Sequence, residues 1–323
     1  MEIELQDIET TYQRNLKKLA DYVSQLRKRV QGWRIPTYLK NHYYRLIQSW
    51  QAKQKAKLTK ERDAAVQQVR QNYQKPANRR KQACLIGINY ENSQYKLNGC
   101  VNDVYKLRQL LISQYGYDSA DIRLVINQAA SRDAILREFT RLVANAVEGD
   151  TICFTFSGHG FHTNDQNGDE KDGQDELIVS ADMRAVRDDE LKAILQKHLK
   201  AGVKLFTLFD NCHSGTILDL RYQYLKNAQP SLVVHDKCQE TKGQVVCLSG
   251  CADNQVSMDA YLNNQYNGAM TWALVDLLSK EKGLSWGECV KKVREKLASR
   301  QFKQLPQLTS GVQFDIAKES VVL

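Results

Sequence analysis

The chain has 323 residues, of which 42% are hydrophobic, so it is long enough for one large domain with an appendage or for two domains, and disorder is not favoured. No apolar run approaches the roughly 18 residues of a membrane-spanning helix, and the acidic residues that follow Met1 are unlike a signal or transit peptide. The eight cysteines are scattered and include no CxxC pair, which indicates free thiols rather than disulfides or a zinc site. We therefore expect a cytoplasmic protein without a membrane span.

The net charge of +9 is unevenly distributed along the chain. Residues 1–80 contain 18 Lys and Arg against 7 Asp and Glu, a net charge of +11, whereas residues 81–323 contain 28 against 30, a net charge of −2. Nucleic acid or an anionic membrane could contact such a basic segment. We expect instead that the basic faces are solvated, because the segment has no recognised nucleic-acid-binding motif or aromatic stacking platform.

Residues 1–75 are predicted to form helices. Apolar residues recur at three- and four-residue steps from Leu5 to Leu26, which is typical of a long amphipathic helix. Gly32 and Pro36 interrupt this pattern, and one or two further helices follow from Thr37, so a helical hairpin is the simplest arrangement. We expect the apolar positions to pack on one another or on the main domain, and the helices could bind a partner. Residues 76–80 are predicted to be a linker.

From Lys81 onward, short apolar runs alternate with helical patterns. The predicted strands are Ala83–Asn89, Ile122–Ile126, Thr151–Ser157, Lys204–Asp210 and Val245–Gly250. The predicted helices are Asn102–Tyr115, Ser131–Ala146 and Arg187–Ala201. This alternation favours a mainly parallel sheet with helices on both faces. In such sheets the reactive groups gather beyond the carboxyl ends of the strands.

Two of these strands end in residues suited to cysteine chemistry. The sequences at their ends are SGHG at 157–160 and DNCHSG at 210–215. If the strands are neighbours, His159 faces Cys212, whereas His213 points away because successive residues of an extended chain alternate in direction. A Cys212 thiolate paired with His159 could cleave an acyl bond, with oxyanion donors from the amide of Cys212 and the backbone of 158–160. The alternative is a buried structural cysteine and a hydrogen-bonded histidine.

Together these two motifs resemble the histidine and cysteine motifs of the metacaspases, in the caspase-like clan. Further stretches agree with that family in the same order: GCVND at 99–103, DGQDE at 172–176, SGCADNQ at 249–255 and GAMT at 268–271. The resemblance runs from about residue 81 to the C-terminus. It implies an α/β fold, a caspase-like three-layer sandwich with a mainly parallel central sheet, preceded by the α-helical N-terminal region. The implied parts are a large-subunit-like segment at 81–225, an intersubunit linker at 226–243 and a small-subunit-like segment at 244–323.

The resemblance implies a calcium-activated cysteine endopeptidase that cleaves after Arg or Lys and needs no third catalytic carboxylate. Asp103 and Asp210 match the acids of the family's substrate pocket, and Cys100 and Ser157 match its walls. Paired carboxylates suit a guanidinium or ammonium group. Asp210 precedes Cys212 by two residues, so both side chains leave the same face of the strand end. The alternative role of Asp210 is to cap a helix that begins near Cys212.

An acidic segment, NDQNGDEKDGQDE at 164–176, raises the question of a calcium (Ca²⁺) site. Its acids partly fit an EF-hand loop, but Glu170 stands where that loop requires Gly and a strand-like run follows, so we reject an EF-hand. The resemblance implies ligands from separate loops, namely Asp175 (Asp172 with less support), Asp188, Asp189 and Asp219. Such carboxylates would repel one another without a cation, and calcium could order the surrounding loops. The alternative is a set of unrelated surface acids.

Self-cleavage is a further expectation for a peptidase that cuts after basic residues. The candidate positions are Lys226, Lys237 and Lys242 in the intersubunit linker, and Arg79, Arg80 and Lys81 before the main domain. The resemblance also favours a monomer. The main competing hypothesis is a weakly active or inactive caspase-like scaffold or regulator that acts through its helical N-terminus.

Overall fold

The computed structural model describes residues 2–74, 80–91, 93–164, 174–211, 217–225, 232–250, 259–262 and 265–323. The chain forms two compact units, Met1–Pro76 and Ala77–Leu323. Within the described part of the chain, none of the helices combines the length and the apolar character needed to cross a bilayer.

The first unit consists of helix α1 (Glu2–Gln31) and helix α2 (Thr37–Gln74), which pack against each other as the predicted hairpin. Val23 and Val30 are buried, and the Tyr12 hydroxyl lies 3.0 Å from Thr59 Oγ1 of the other helix. The expectation that all apolar positions are packed is wrong in part. Tyr22, which the helical spacing placed among them, is 49% exposed.

The second unit contains the following strands and helices in its described residues. The strands are β1 (Lys81–Gly87), β2 (Ile122–Ile126), β3 (Thr151–Ser157), β4 (Gly160–Asn164), β5 (Gln174–Val179), β6 (Ala185–Arg187), β7 (Lys204–Asp210), β8 (Tyr222–Tyr224), β9 (Leu232–Val234), β10 (Gln244–Ser249), β11 (Asp259–Leu262), β12 (Gln265–Gly268) and β13 (Gln307–Ser310). The helices are α3 (Cys100–Tyr115), α4 (Arg132–Asn145), α5 (Asp188–His198), α6 (Ala269–Lys280) and α7 (Trp286–Ser299).

Eight strands form the main sheet in the order β2-β1-β3-β7-β10-β13-β8-β9. The first five strands in this order are parallel to one another, and the pairings from β10 to β9 are antiparallel. The five strands predicted from the sequence are these five parallel strands, with each end within two residues of the prediction. The mainly parallel central sheet is therefore confirmed.

Helices cover both faces of this sheet. Helices α3, α6 and α7 pack on one face, where Leu85 of β1 and Phe206 of β7 belong to the same buried apolar cluster. Helices α4 and α5 pack on the other face, with Ile86 and Leu205. Adjacent strand residues therefore enter opposite clusters, which explains why these strands appear in the sequence as continuous apolar runs. The result is the predicted three-layer sandwich.

Strand β5 covers most of the strand-like run expected after the acidic segment, and the other remaining strands were missing from the sequence prediction. Strands β8 and β9, at the antiparallel end of the sheet, have three residues each, too few to give a periodic pattern. Strand β9 lies within the predicted intersubunit linker, so part of that segment belongs to the main sheet. A separate small sheet contains β4, β5 and β6 in that order, and it begins directly after His159.

Candidate active site

The parallel pairing of β3 and β7 defines the site. The last pair in their register is Ser157 with Asp210. His159 and Cys212 each follow a member of this pair by two residues in the sequence. Because parallel strands end at the same edge of a sheet, the two reactive segments leave the sheet together. Cys212 and His213 themselves lie outside the described residues.

The imidazole of His159 is oriented by a backbone carbonyl. Its Nε2 lies 2.6 Å from the carbonyl oxygen of Tyr95. A carbonyl oxygen can only accept a hydrogen bond, so Nε2 carries the hydrogen. In the neutral ring, Nδ1 is then the nitrogen that can take up a proton. The half-buried ring thus has a defined tautomer without any carboxylate partner in this contact.

Tyr90 packs against the His159 ring and is hydrogen-bonded to the His159 backbone. Its ring centroid lies 4.6 Å from that of His159, and its hydroxyl accepts from the His159 N–H at 3.0 Å and donates to the Val179 carbonyl at 2.6 Å. Burial raises the pKa of Tyr90, so the hydroxyl stays protonated. Gly158 makes this approach possible, because a Cβ there would lie 2.8 Å from the Tyr90 hydroxyl oxygen and 2.7 Å from a ring carbon of Phe156.

Asp103 and Asp210 face each other across Gly268. Asp103 accepts hydrogen bonds from the Ser157 hydroxyl at 2.7 Å and from the Gly268 N–H at 3.0 Å, and Asp210 accepts one from the Thr271 N–H at 2.8 Å. A Cβ on Gly268 would lie 2.2 Å from a carboxylate oxygen of Asp210 and 2.7 Å from one of Asp103. The structure therefore brings together the two predicted pocket acids, and residue 268 must be glycine to leave room for both.

The surroundings of Asp103 oppose its ionisation. Asp103 is fully buried and Asp210 is 3% exposed. Burial, and then the nearby Asp210 charge, raise the pKa of Asp103 well above its ordinary value, although hydrogen bonds from Ser157 and Gly268 act in the opposite direction. Cys100, the other predicted wall residue, is also buried and begins the helix that carries Asp103. A cation between the two carboxylates would relieve their repulsion.

A second acidic cluster contains Glu176, Asp188 and Asp219. One carboxylate oxygen from each lies within 4.8 Å of the others, and all three side chains are buried. The Asp188 carboxylate accepts backbone hydrogen bonds from Glu176 at 2.6 Å and from Asp189 at 2.7 Å. The Lys192 ammonium lies 3.2 Å from Asp219. The cluster thus joins β5, the start of α5 and the segment after the cysteine motif.

This cluster overlaps only in part with the ligands implied by the sequence. Asp188 and Asp219 were implied and are brought together, whereas Asp189 is not a member of the cluster. Asp175 lies in β5, but its side chain is not described by the structure, and Asp172 lies outside the described residues. Glu176 was not proposed as a ligand, although its place before the apolar residues 177–179 of a strand was a signal that it is buried. Strands flank the acidic loop on both sides, in agreement with the rejection of an EF-hand.

The donor set of the cluster fits a hard divalent cation. Burial, and then the Asp219 charge, raise the pKa of Asp188 to about 7, while the backbone N–H groups of Asp189 and Glu176 oppose this shift. Three carboxylates in so small a space offer only oxygen ligands, which calcium prefers. Lys192 supplies a single positive charge at one edge of the cluster.

Fold and site together define a caspase-like α/β sandwich with a histidine and two acids at the carboxyl edge of its parallel strands. A family model described as metacaspase, peptidase C14 domain, matches residues 81–221. Metacaspase-1 of Schizosaccharomyces pombe is 33% identical, over 73% of this chain and 68% of its own length. Metacaspase-1 of Ajellomyces capsulatus is 32% identical, over 71% of this chain and 79% of its own length. The chain therefore belongs to the metacaspase family, and it is a cysteine peptidase that acts on protein substrates.

A solved structure agrees at the level of the fold. The crystal structure of a protein from Geobacter sulfurreducens matches 75% of this chain and 97% of its own, with a TM-score of 0.56 and 24% sequence identity. The three-layer architecture is thus shared with an experimentally determined protein.

The acidic cluster should make stability depend on pH. The folded chain holds the Asp188 proton up to a pKa of about 7, whereas the unfolded chain releases it near pH 4. Because the folded state then binds more protons between these values, the free energy of unfolding should fall as the pH rises from 5 to 8 in metal-free buffer. Asp219→Asn removes the neighbouring charge and should reduce this fall by about 1–2 kcal/mol. Urea unfolding at both pH values measures the difference.

Two features make this comparison clean. Asn tolerates the positive φ of 45° at residue 219, and its amide oxygen can still accept from Lys192. Asp236→Asn removes an acid whose side chain is 89% exposed and should leave the pH dependence unchanged. Equal pH dependence in the wild type and in Asp219→Asn would contradict the coupling between Asp188 and Asp219.

Proposed function

We propose that the chain is a calcium-dependent cysteine endopeptidase that cleaves after Arg or Lys. The observation that carries this proposal is the buried pair of carboxylates, Asp103 and Asp210. Asp210 ends β7 two residues before Cys212, and Asp103 of α3 accepts a hydrogen bond from Ser157, which ends the neighbouring strand β3. Cys212 is the nucleophile and His159 moves the proton.

The reaction follows from the orientation of His159. Its Nδ1 takes the thiol proton, and the Cys212 thiolate attacks the scissile carbonyl carbon. The imidazolium then gives its proton to the leaving amine as the C–N bond breaks, which leaves a thioester on Cys212. Water, activated by His159, hydrolyses the thioester and restores the thiol. The Tyr95 carbonyl stabilises the imidazolium through Nε2, so a third catalytic carboxylate is unnecessary.

The preference for a basic residue follows from the electrostatics of the pocket. A P1 guanidinium between Asp103 and Asp210 would offset the burial and the neighbouring Asp210 charge that raise the pKa of Asp103. Its planar fork can donate to both carboxylates, and a Lys ammonium can do so with fewer hydrogen bonds. A P1 Asp would add a third negative charge in a buried space, which explains why we expect no cleavage after Asp.

Cleavage of fluorogenic peptides with Arg, Lys or Asp at P1 tests this proposal. In millimolar calcium, the Arg and Lys peptides should be hydrolysed, the Asp peptide should not, and Cys212→Ala should be inactive. Asp103→Asn removes one charge that contacts the P1 cation and should lower kcat/KM for Arg peptides by about 100-fold, or about 2–3 kcal/mol. The assay is initial-rate fluorescence over a range of peptide concentrations.

A chemical control distinguishes an effect of Asp103→Asn on the P1 pocket from an effect on the nucleophile. Iodoacetamide is small and neutral and does not need the P1 pocket, so it should alkylate the active-site thiol of Asp103→Asn at the wild-type rate. Slower alkylation would indicate that the substitution disturbs Cys212 instead. If the wild type hydrolyses none of the three peptides, the result would favour the scaffold hypothesis.

Calcium dependence rests on the cluster of Glu176, Asp188 and Asp219. When bound, calcium supplies the positive charge that three buried carboxylates lack and so holds β5, α5 and the segment of Asp219 together. Asp219 follows Cys212 by seven residues in the sequence. Ordering of this segment is therefore the route by which the cluster can affect the nucleophile. Asp175 and Asp189 remain proposed ligands from the family resemblance.

Removal of calcium should abolish turnover of the Arg peptide, and millimolar calcium should restore it. Asp188→Asn should raise the calcium concentration needed for half-maximal activity by at least about tenfold, because one charged ligand is lost. The measurement is a calcium titration of initial rates in buffered chelator. Asp236→Asn is the control, since its side chain is almost fully exposed. Full activity of the wild type in excess chelator would contradict the proposal.

Tyr90 is proposed as a positioning residue for His159. Tyr90→Phe keeps the ring but removes the hydroxyl that joins the His159 N–H to the Val179 carbonyl. We expect kcat to fall about tenfold with little change in KM, because leaving a buried group without its hydrogen-bond partner costs about 1–3 kcal/mol. We also expect the acidic limb of the pH–rate profile to shift. Tyr117→Phe, at another buried tyrosine, is the matched control. A change in KM alone would assign Tyr90 to substrate binding.

Self-cleavage and a cytoplasmic location remain predictions. The six described cysteines are free thiols, in keeping with a reducing compartment. Arg80 pairs with Asp150 at 2.6 Å and Lys81 begins β1, so these two positions are poor cleavage sites in the folded chain. Lys237 and Lys242 are both exposed and are the better candidates among the described residues.

A further inference from the structure

We propose that the helical N-terminal unit docks on an anionic membrane surface. The docking face is an aromatic stripe near the turn of the hairpin, defined by Tyr22, Trp33, Tyr43, Leu46 and Trp50. Each of these large side chains is exposed, from 38% for Trp50 to 52% for Leu46. The peptidase chemistry leaves this surface without a role.

The stripe is continuous across the two helices. Tyr43, Leu46 and Trp50 are three and four residues apart on α2, so they share one helix face. The Tyr22 ring of α1 lies 5.7 Å from the Trp50 ring, and the Trp33 ring lies 5.0 Å from the Tyr43 ring. The stripe therefore has an aromatic pair at each end and Leu46 between them.

Positive charge surrounds this stripe. Residues 22–60 contain no Asp or Glu and ten basic residues: Arg27, Lys28, Arg29, Arg34, Lys40, Arg45, Lys53, Lys55, Lys57 and Lys60. All of these except the half-buried Lys40 are exposed. On α1, Arg29 is seven residues after Tyr22. On α2, Lys53 and Lys57 are three and seven residues after Trp50, so these three basic residues extend the same face. The acids of the unit lie outside this segment.

This combination fits the boundary between lipid headgroups and acyl chains. Trp and Tyr side chains concentrate there because their rings are apolar while their N–H and O–H groups stay hydrated. Lys and Arg at the same depth contact anionic headgroups. The described part of both helices is too polar to cross a bilayer. The hairpin would therefore lie on the membrane surface.

Two other occupants fit less well. A second copy of the chain would place two strongly basic faces against each other, and their charges would repel. Nucleic acid would need open ring faces for base stacking, whereas the Trp33 and Tyr43 rings meet edge to face at 87° and the Tyr22 and Trp50 rings are tilted by 57° against each other. Charge complementarity and the paired rings thus favour an anionic lipid surface.

Vesicle sedimentation of the full chain in excess chelator tests the proposal. Vesicles of phosphatidylcholine with phosphatidylserine should bind the chain, and vesicles of phosphatidylcholine alone should bind it at least about tenfold more weakly. The triple variant Arg29→Gln, Lys53→Gln, Lys57→Gln should reduce binding to the anionic vesicles on the order of 100-fold. The matched control Arg27→Gln, Arg45→Gln, Lys55→Gln removes the same charge from positions five residues away from Tyr22 or Trp50, which face away from the stripe, and should reduce binding less than about tenfold.

Tryptophan fluorescence reports the stripe directly. Of the four tryptophans, Trp272 and Trp286 are buried in the other unit, so Trp33 and Trp50 are the ones that vesicles can reach. Anionic vesicles should shift the emission to the blue, and brominated lipids should quench it. The variant Trp33→Ser, Trp50→Ser should lose both signals while retaining the far-ultraviolet circular dichroism of the wild type.

Several outcomes would overturn the proposal. These are equal binding to neutral and anionic vesicles, equal losses in the two triple variants, and quenching that persists in Trp33→Ser, Trp50→Ser. Tighter binding of a labelled oligonucleotide than of anionic vesicles would assign the face to nucleic acid. A dimer that dissociates when the tryptophans are replaced would assign it to a second copy of the chain.

Discussion

The hydrogen-bond register between β3 and β7 is the constraint on which the rest of the site depends. Both strands are buried on both faces, so a slip of one residue would move every side chain into the wrong apolar cluster. The core thereby fixes Ser157 opposite Asp210. His159 and Cys212 each follow a member of this last pair by two residues in the sequence. The packing energy of the sandwich is thus what positions the reactive segments.

Several features near this edge oppose stability and are held in place by that core. Asp103 and Asp210 are buried carboxyl groups that repel each other when both are ionised, and Tyr90 has a positive φ of 49°, which costs a bulky residue on the order of 1 kcal/mol or more. Gly158 and Gly268 leave room for these contacts because they lack a Cβ. A local loss of folding free energy is common at functional sites. Here a substrate cation can relieve the carboxylate repulsion, and Tyr90 can hold the His159 segment.

The sequence was informative for strands that are buried on both faces, because such strands appear as continuous apolar runs. The five parallel strands were predicted because each is an apolar run, and His159 and Cys212 were proposed because reactive residues follow two of those runs. The pocket residues and the calcium ligands were proposed from the resemblance to the metacaspases. Strands β8 and β9 were missed because three residues carry no period and their pairing depends on distant partners. Glu176 was missed as a cluster member because its burial comes from packing against α5. The exposure of Tyr22 was missed because helical spacing indicates a face and not its partner.

The two proposals are physically compatible within one chain. An anionic leaflet has a surface potential of about −30 mV, which enriches a divalent cation about tenfold near the membrane. The same potential attracts basic polypeptide segments, which are the segments that Asp103 and Asp210 are proposed to accept. A helical unit with a net charge of +9, joined to a second unit with no net charge, would be drawn to that surface by its helical part alone. Docking through the aromatic stripe would therefore bring the peptidase to the place where its proposed activator and its proposed basic substrates are both concentrated.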